Sequence, residues 1–90
     1  MEKIVAAAFI PEGTETVHTG HNYSEIIVEI VRDKEIKPPI RGDYGFITEK
    51  GEFVDPLTAA DIAVRSGQVK KLTHPPSLFT KDINFSDIQF

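Results

Sequence analysis

The sequence has no cysteine, so neither a disulfide nor a thiolate metal site can supplement a small core. Nothing asks for an oxidising compartment, and a reducing, cytoplasmic setting is the simplest expectation. No apolar run approaches the roughly 20 residues that span a bilayer, which excludes a transmembrane helix. The run from Ile4 to Ile10 stops at Pro11-Glu12-Gly13 without a small-residue cleavage pattern, so it reads as a buried strand and not as an export signal. Positive charge is scarce too: 10 Lys and Arg stand against 14 Asp and Glu, for a formal net charge of −4. General nucleic-acid binding needs a clustered cationic excess and is therefore excluded, although a local basic pocket is not.

What is present fits one domain. A chain of 90 residues buries a smaller fraction of its surface than a longer one, which makes homo-oligomer formation an expected supplement. Ile4 to Ile10 and the β-branched alternation of Thr14 to Thr19 read as a hairpin. Tyr23, Ile26, Ile27, Ile30 and Val31 then form a helical stripe opposite Glu25, Glu29, Arg32 and Asp33. Asn22 or Ser24 would cap that helix, and Pro38-Pro39 stops it by about Ile36. After a loop from Lys37 to Asp43, Tyr44–Thr48 and Glu52–Val54 flank Glu49-Lys50-Gly51, the signature of a hairpin with a bulge. Asp55 caps a second helix that starts on Pro56 and ends before Gly67. The expectation is an α+β fold of two successive ββα units over residues 1–72, an antiparallel or mixed sheet packed by two helices. The apolar tail 73–90, with Leu78, Phe79, Ile83, Phe85, Ile88 and Phe90, should pack on the domain or on a neighbouring subunit.

Catalytic and metal chemistry find little support. His18, His21 and His74 lack a completing set of ligands, and Ser24, Ser66, Ser77 and Ser86 lack a nucleophile elbow with a nearby base. Glu25 with Glu29 reads as a solvated helix face, and Arg41-Gly42-Asp43 as a chance match to an integrin ligand. The turn Thr19-Gly20-His21-Asn22 into Tyr23 is more informative, because free amides at a helix start favour an anion and Gly20 allows close approach. Arg41, Lys70 or Lys71 would pair with a phosphate. Tyr44, Phe46 and Phe53 offer rings for a nucleobase, against a core role favoured for Phe46 and Phe53.

The stretches Gly45-Phe46-Ile47-Thr48, Gly51-Glu52-Phe53-Val54-Asp55, Ala59-Ala60-Asp61-Ile62-Ala63 and Ser66-Gly67-Gln68-Val69 resemble a family of small bacteriophage and prophage proteins. Looser matches run over Thr19–Ile27 and Leu78–Ile83, so most of the chain is covered. The chain departs from that pattern at Tyr23, where the family has His, and at Tyr44, where it has Gln. The resemblance implies a phage accessory protein without dictating chemistry. By analogy with small acidic phage proteins that sequester immune second messengers, the expected ligand is a small anionic nucleotide-like molecule, such as a cyclic ADP-ribose type or a cyclic oligonucleotide. It would be held without cleavage and without a cofactor, through Thr19, Gly20, His21, Asn22, Tyr23, Arg41, Tyr44, Phe46 and Lys70. Two other classes stand beside this one: a nucleotide hydrolase or lyase, and a protein inhibitor of a host defence enzyme acting through its acidic surface and apolar tail. Deleting Ser77 to Phe90 from a domain that stays folded would isolate the inhibitor.

Overall fold

The computed structural model describes residues 2–34 and 40–83. Its elements are β1 (Ile4–Pro11), β2 (His18–Gly20), α1 (Tyr23–Lys34), β3 (Gly42–Thr48), β4 (Phe53–Val54), α2 (Pro56–Arg65) and a 3-10 turn at Thr80–Asp82. The four strands form one antiparallel sheet in the order β2-β1-β3-β4, so the two expected ββα units share a single α+β layer pair. No helix among the described residues is long and apolar enough to cross a membrane.

Register decides which face is core. Ala7 opposes Phe46 and Ile4 opposes Thr48, which puts these residues on one face of the sheet, and both helices pack there. Ile26 and Ile30 of α1 and Ala59, Ala60 and Ala63 of α2 join Phe9 and Phe46 in that core. The small side chains of α2 let its backbone approach the strands closely. Ile27, expected in the core, lies at the edge of the cluster and is only half-buried; Ile26, at 1% exposed, takes the central place. On the opposite face Phe53 lies over Gly45, where any Cβ would collide with its ring and with the Val54 carbonyl.

Several expected boundaries shift for identifiable reasons. β2 is three residues long and does not run from Thr14, because the Thr14 amide and hydroxyl both turn back to the Pro11 carbonyl, at 3.1 and 2.8 Å. Gly42 and Asp43, expected in a loop, pair with Pro11 and Ile10 and lengthen β3. β4 begins at Phe53 rather than Glu52. The expected helix end near Ile36, with Pro38-Pro39, lies outside the described residues, as do Phe85, Ile88 and Phe90.

The segment after α2 is part of the body of the fold. Leu78 is 1% exposed within the core, its amide donates to the Pro56 carbonyl at 3.0 Å, and Ile83 packs against the same cluster. Deleting from Ser77 would therefore remove core, and that truncation does not separate docking from folding.

One side chain ties the start of β1 to the turn after α2. Past the end of α2, the Gly67 and Gln68 amides close onto Val64 and Ala63, at 3.1 and 2.9 Å. That turn aims the Gln68 amide at β1: Oε1 accepts from the Ile4 N–H at 2.8 Å and Nε2 donates to the Ile4 carbonyl at 2.7 Å. Gln68→Ala leaves both groups of the fully buried Ile4 unpaired and should cost about 1–3 kcal/mol in denaturant unfolding. Gln68→Glu, which keeps an acceptor for the Ile4 N–H but sets a carboxylate oxygen against the Ile4 carbonyl, should be at least as destabilising at neutral pH.

Candidate functional site

An aromatic column runs from the core to the surface at the start of α1. Tyr44 opposes Phe9 across β1 and β3, with ring centroids 4.8 Å apart. Tyr23 meets Tyr44 edge-on at 4.9 Å and reaches Phe46 at 5.9 Å. Such tilted contacts set the positive ring edge against a negative face. The Tyr23 hydroxyl donates to the Gly45 carbonyl at 2.9 Å, which locks α1 onto β3. Burial, with Tyr44 adding to it, holds that hydroxyl above its ordinary pKa.

The outer end of the column opens into a groove of about 290 Å³ lined by Tyr23, Tyr44, Pro56, Ser77, Leu78, Phe79 and Thr80. This is close to the lower end of ligand-sized recesses. Its lining is almost wholly apolar, and two rings in it remain substantially in water: Tyr44 is 44% and Phe79 41% exposed. At the rim the His74 ring stacks on Phe79 at 4.7 Å, and the Lys81 ammonium sits 5.8 Å from the Phe79 centroid. The wall carrying Phe79 is held by Asp82, whose carboxylate accepts from Thr73 N–H, Thr73 Oγ1 and Phe79 N–H. Burial pushes the Asp82 carboxyl up, but the hydrogen bonds from Thr73 and Phe79, with Lys81 adding to them, leave it below the ordinary range.

The expected site residues do not meet in one place. Tyr23 and Tyr44 line the aromatic groove. Thr19, Gly20 and His21 border a separate depression of about 200 Å³ with Ala6 and Glu25. Arg41 lines a third recess, of about 350 Å³, beside the carboxylates of Glu12 and Asp43, a setting that does not favour an anion. Lys70 is exposed and lines none of these. Phe46 is 0% exposed, so the structure makes it a core ring with no face turned to a ligand.

At each helix start one amide is taken by a side-chain oxygen of the protein. Asn22, not Ser24, caps α1: its Oδ1 accepts the Glu25 amide at 2.9 Å. His21 lies 3.9 Å from Glu25 on the exposed side of that turn. Asp55 does the same for α2, accepting the Thr58 amide at 2.7 Å, and those bonds hold its carboxyl below the usual range. The Glu25 and Thr58 amides, satisfied in this way, are not offered to an incoming phosphate.

Residues 45–55 serve the fold throughout. Gly45 makes room for Phe53, and buried Thr48 accepts the Lys50 and Glu52 amides on its hydroxyl at 3.3 Å. Gly51 takes φ +83 to turn the hairpin, and Asp55 starts α2. Phe79 of the groove lining and the residues around it, His74, Lys81 and Asp82, none of them among the site residues expected from the sequence, lie in the tail. The available signal was an aromatic flanked by His and Lys just after Pro75-Pro76. No grouping of His, Asp or Glu that could hold a metal occurs among the described residues.

A small α+β layer pair that presents one aromatic recess at the start of its first helix is the class defined by this fold and site. The chain belongs to the Phage T4 y16D protein family, whose profile matches residues 3–83. That membership is consistent with the small phage protein family expected from the sequence. No curated protein and no solved structure gives a significant match.

Tyr23→Phe removes the bond to Gly45 and should lower stability by about 1 kcal/mol. Because its folded pKa is raised, native Tyr23 contributes stability that is fully present below about pH 10 and lost as pH rises further. Stability measured across the alkaline limb should therefore decline less steeply in Tyr23→Phe than in the native chain.

Proposed function

We propose that this protein is a phage accessory binder that holds a small, planar, anionic molecule of the nucleotide second-messenger type in the Tyr44–Phe79 groove and releases it unchanged. The observation that carries this reading is the convergence of two half-exposed rings on one apolar recess, Tyr44 from β3 and Phe79 from the C-terminal segment. A base would lie against Tyr44 and on the apolar floor of Leu78 and Pro56, and base–aromatic stacking is worth about 1–3 kcal/mol per base. Lys81 at the rim supplies the cation for a phosphate, and the His74 ring beside it offers a hydrogen-bonding nitrogen. Compared with the residues expected from sequence, the reading keeps Tyr23 and Tyr44, assigns Asn22 to capping and Phe46 to the core, and leaves Arg41 in its own recess.

Ligand-free protein screened for thermal shift against cyclic ADP-ribose isomers and cyclic di- and trinucleotides should respond to at least one of them. A ligand at 100 times its dissociation constant adds about 2.7 kcal/mol. Heating the complex and analysing the supernatant should return the intact molecule, whereas a converted product would indicate an enzyme. Tyr44→Ala should abolish the shift while leaving the far-ultraviolet circular dichroism unchanged. No response across the panel, or an undiminished response in Tyr44→Ala, would rule the groove out.

A second reading, direct docking on a host protein, is favoured by Leu57 and Val64, exposed at 54% and 46% about two turns apart on α2. Leu57→Glu should leave the ligand response intact and abolish inhibition if that surface is the working one.

A further inference from the structure

Phe79 forms a wall of the groove yet has little burial to hold it there. Its chain neighbour Leu78 is anchored in the core through its side chain and through its amide bond to the Pro56 carbonyl. Beyond that anchor, the Phe79 ring stacks on His74, and its backbone amide and carbonyl bond to one residue, Asp82. The Phe79 amide donates to Asp82 Oδ2 at 3.0 Å, and the Asp82 amide donates back to the Phe79 carbonyl at 2.9 Å. The other carboxylate oxygen of Asp82 accepts from the Thr73 amide at 3.0 Å and from the Thr73 hydroxyl. One carboxylate therefore closes the loop from Thr73 to Asp82 and pins Phe79 inside it, and His74 lies within the same loop.

We infer that Asp82 is the positioning residue of the aromatic groove: by bridging Thr73 and Phe79 it fixes the ring that faces Tyr44, and so sets the width available to a ligand. This rests on the groove being the binding site proposed above. Asp82 is itself no part of the lining, so its influence on binding passes through Phe79. A neutral amide cannot replace it. Asn at this position keeps one oxygen for Thr73 and turns an N–H toward the Phe79 N–H, placing two donors face to face.

The test is Asp82→Asn in the full chain, read first without any ligand. Exchange of the Phe79 amide proton should accelerate by about tenfold, and the His74 ring-proton resonances should move toward free histidine as its stack on Phe79 loosens. Anilinonaphthalenesulfonate, a planar aromatic anion, serves as the groove probe, and its Tyr44-dependent affinity should fall by about tenfold with helix content unchanged. Thr73→Val, which removes only the hydroxyl donor, should shift the same signals in the same direction by less, and it serves as the main test if Asp82→Asn does not fold. Unchanged Phe79 exchange and His74 resonances would overturn the inference, as would altered resonances with undiminished probe affinity. A native protein that takes up no probe counts against the binding reading itself, and the amide and ring signals then decide the role of Asp82 alone.

Discussion

The structure depends on a side-chain amide that takes the place of a strand. β2 reaches only as far as Ala7 along β1, so Ile4 lies beyond its pairing, and it is Gln68 that pairs with the Ile4 N–H and carbonyl. A buried backbone group without a partner costs as much as a lost hydrogen bond, so the first strand can enter the core at Ile4 only because Gln68 is there. That bond spans 64 residues and ties the turn after α2 to the sheet. It also fixes how α2 lies, and α2 begins at Pro56, in the floor of the groove.

The aromatic column is the second organising feature, and it links core to surface in a graded way. Phe9 and Phe46 are fully buried, Tyr23 is half-buried with its hydroxyl committed to β3, and Tyr44 is the member left open. A ring seated on other rings is held in orientation at little further entropic cost, which makes Tyr44 a preorganised platform. Phe79, backed by the exposed His74 ring and not by the core, has its backbone placed by hydrogen bonds to Asp82. The groove thus has one rigid wall and one wall whose position is set by a carboxylate.

Sequence reasoning found the elements whose signals are local. Asp55, Pro56 and Gly67 bracket α2 because capping and helix termination are decided within a few residues, and the stripe of α1 is legible from its 3.6-residue period. It lengthened β2 because Thr14 and Thr16 alternate like strand residues, whereas the Thr14 amide and hydroxyl are drawn to Pro11. It could not find the Gln68 clamp, since a polar contact over such a separation leaves no periodic trace. The site residues it chose were amides, cations and rings near turns, and the fold spreads them over three recesses. Tyr23 and Tyr44 were found because rings beside a helix start are conspicuous. In the sequence Phe79 is one of many apolar residues in a tail, and only tertiary contacts distinguish it from Leu78.

The Gln68 clamp also bears on how the chain is made. During synthesis β1 emerges well before the residue that completes its edge, so Ile4 must wait, with its amide and carbonyl answered only by water, until the 64 residues leading to Gln68 have followed. An incomplete chain therefore carries an open strand edge next to an alanine-rich apolar run, the kind of surface that another nascent copy could pair with. Docking of the turn after α2 onto β1 and the protection of that edge are one and the same step.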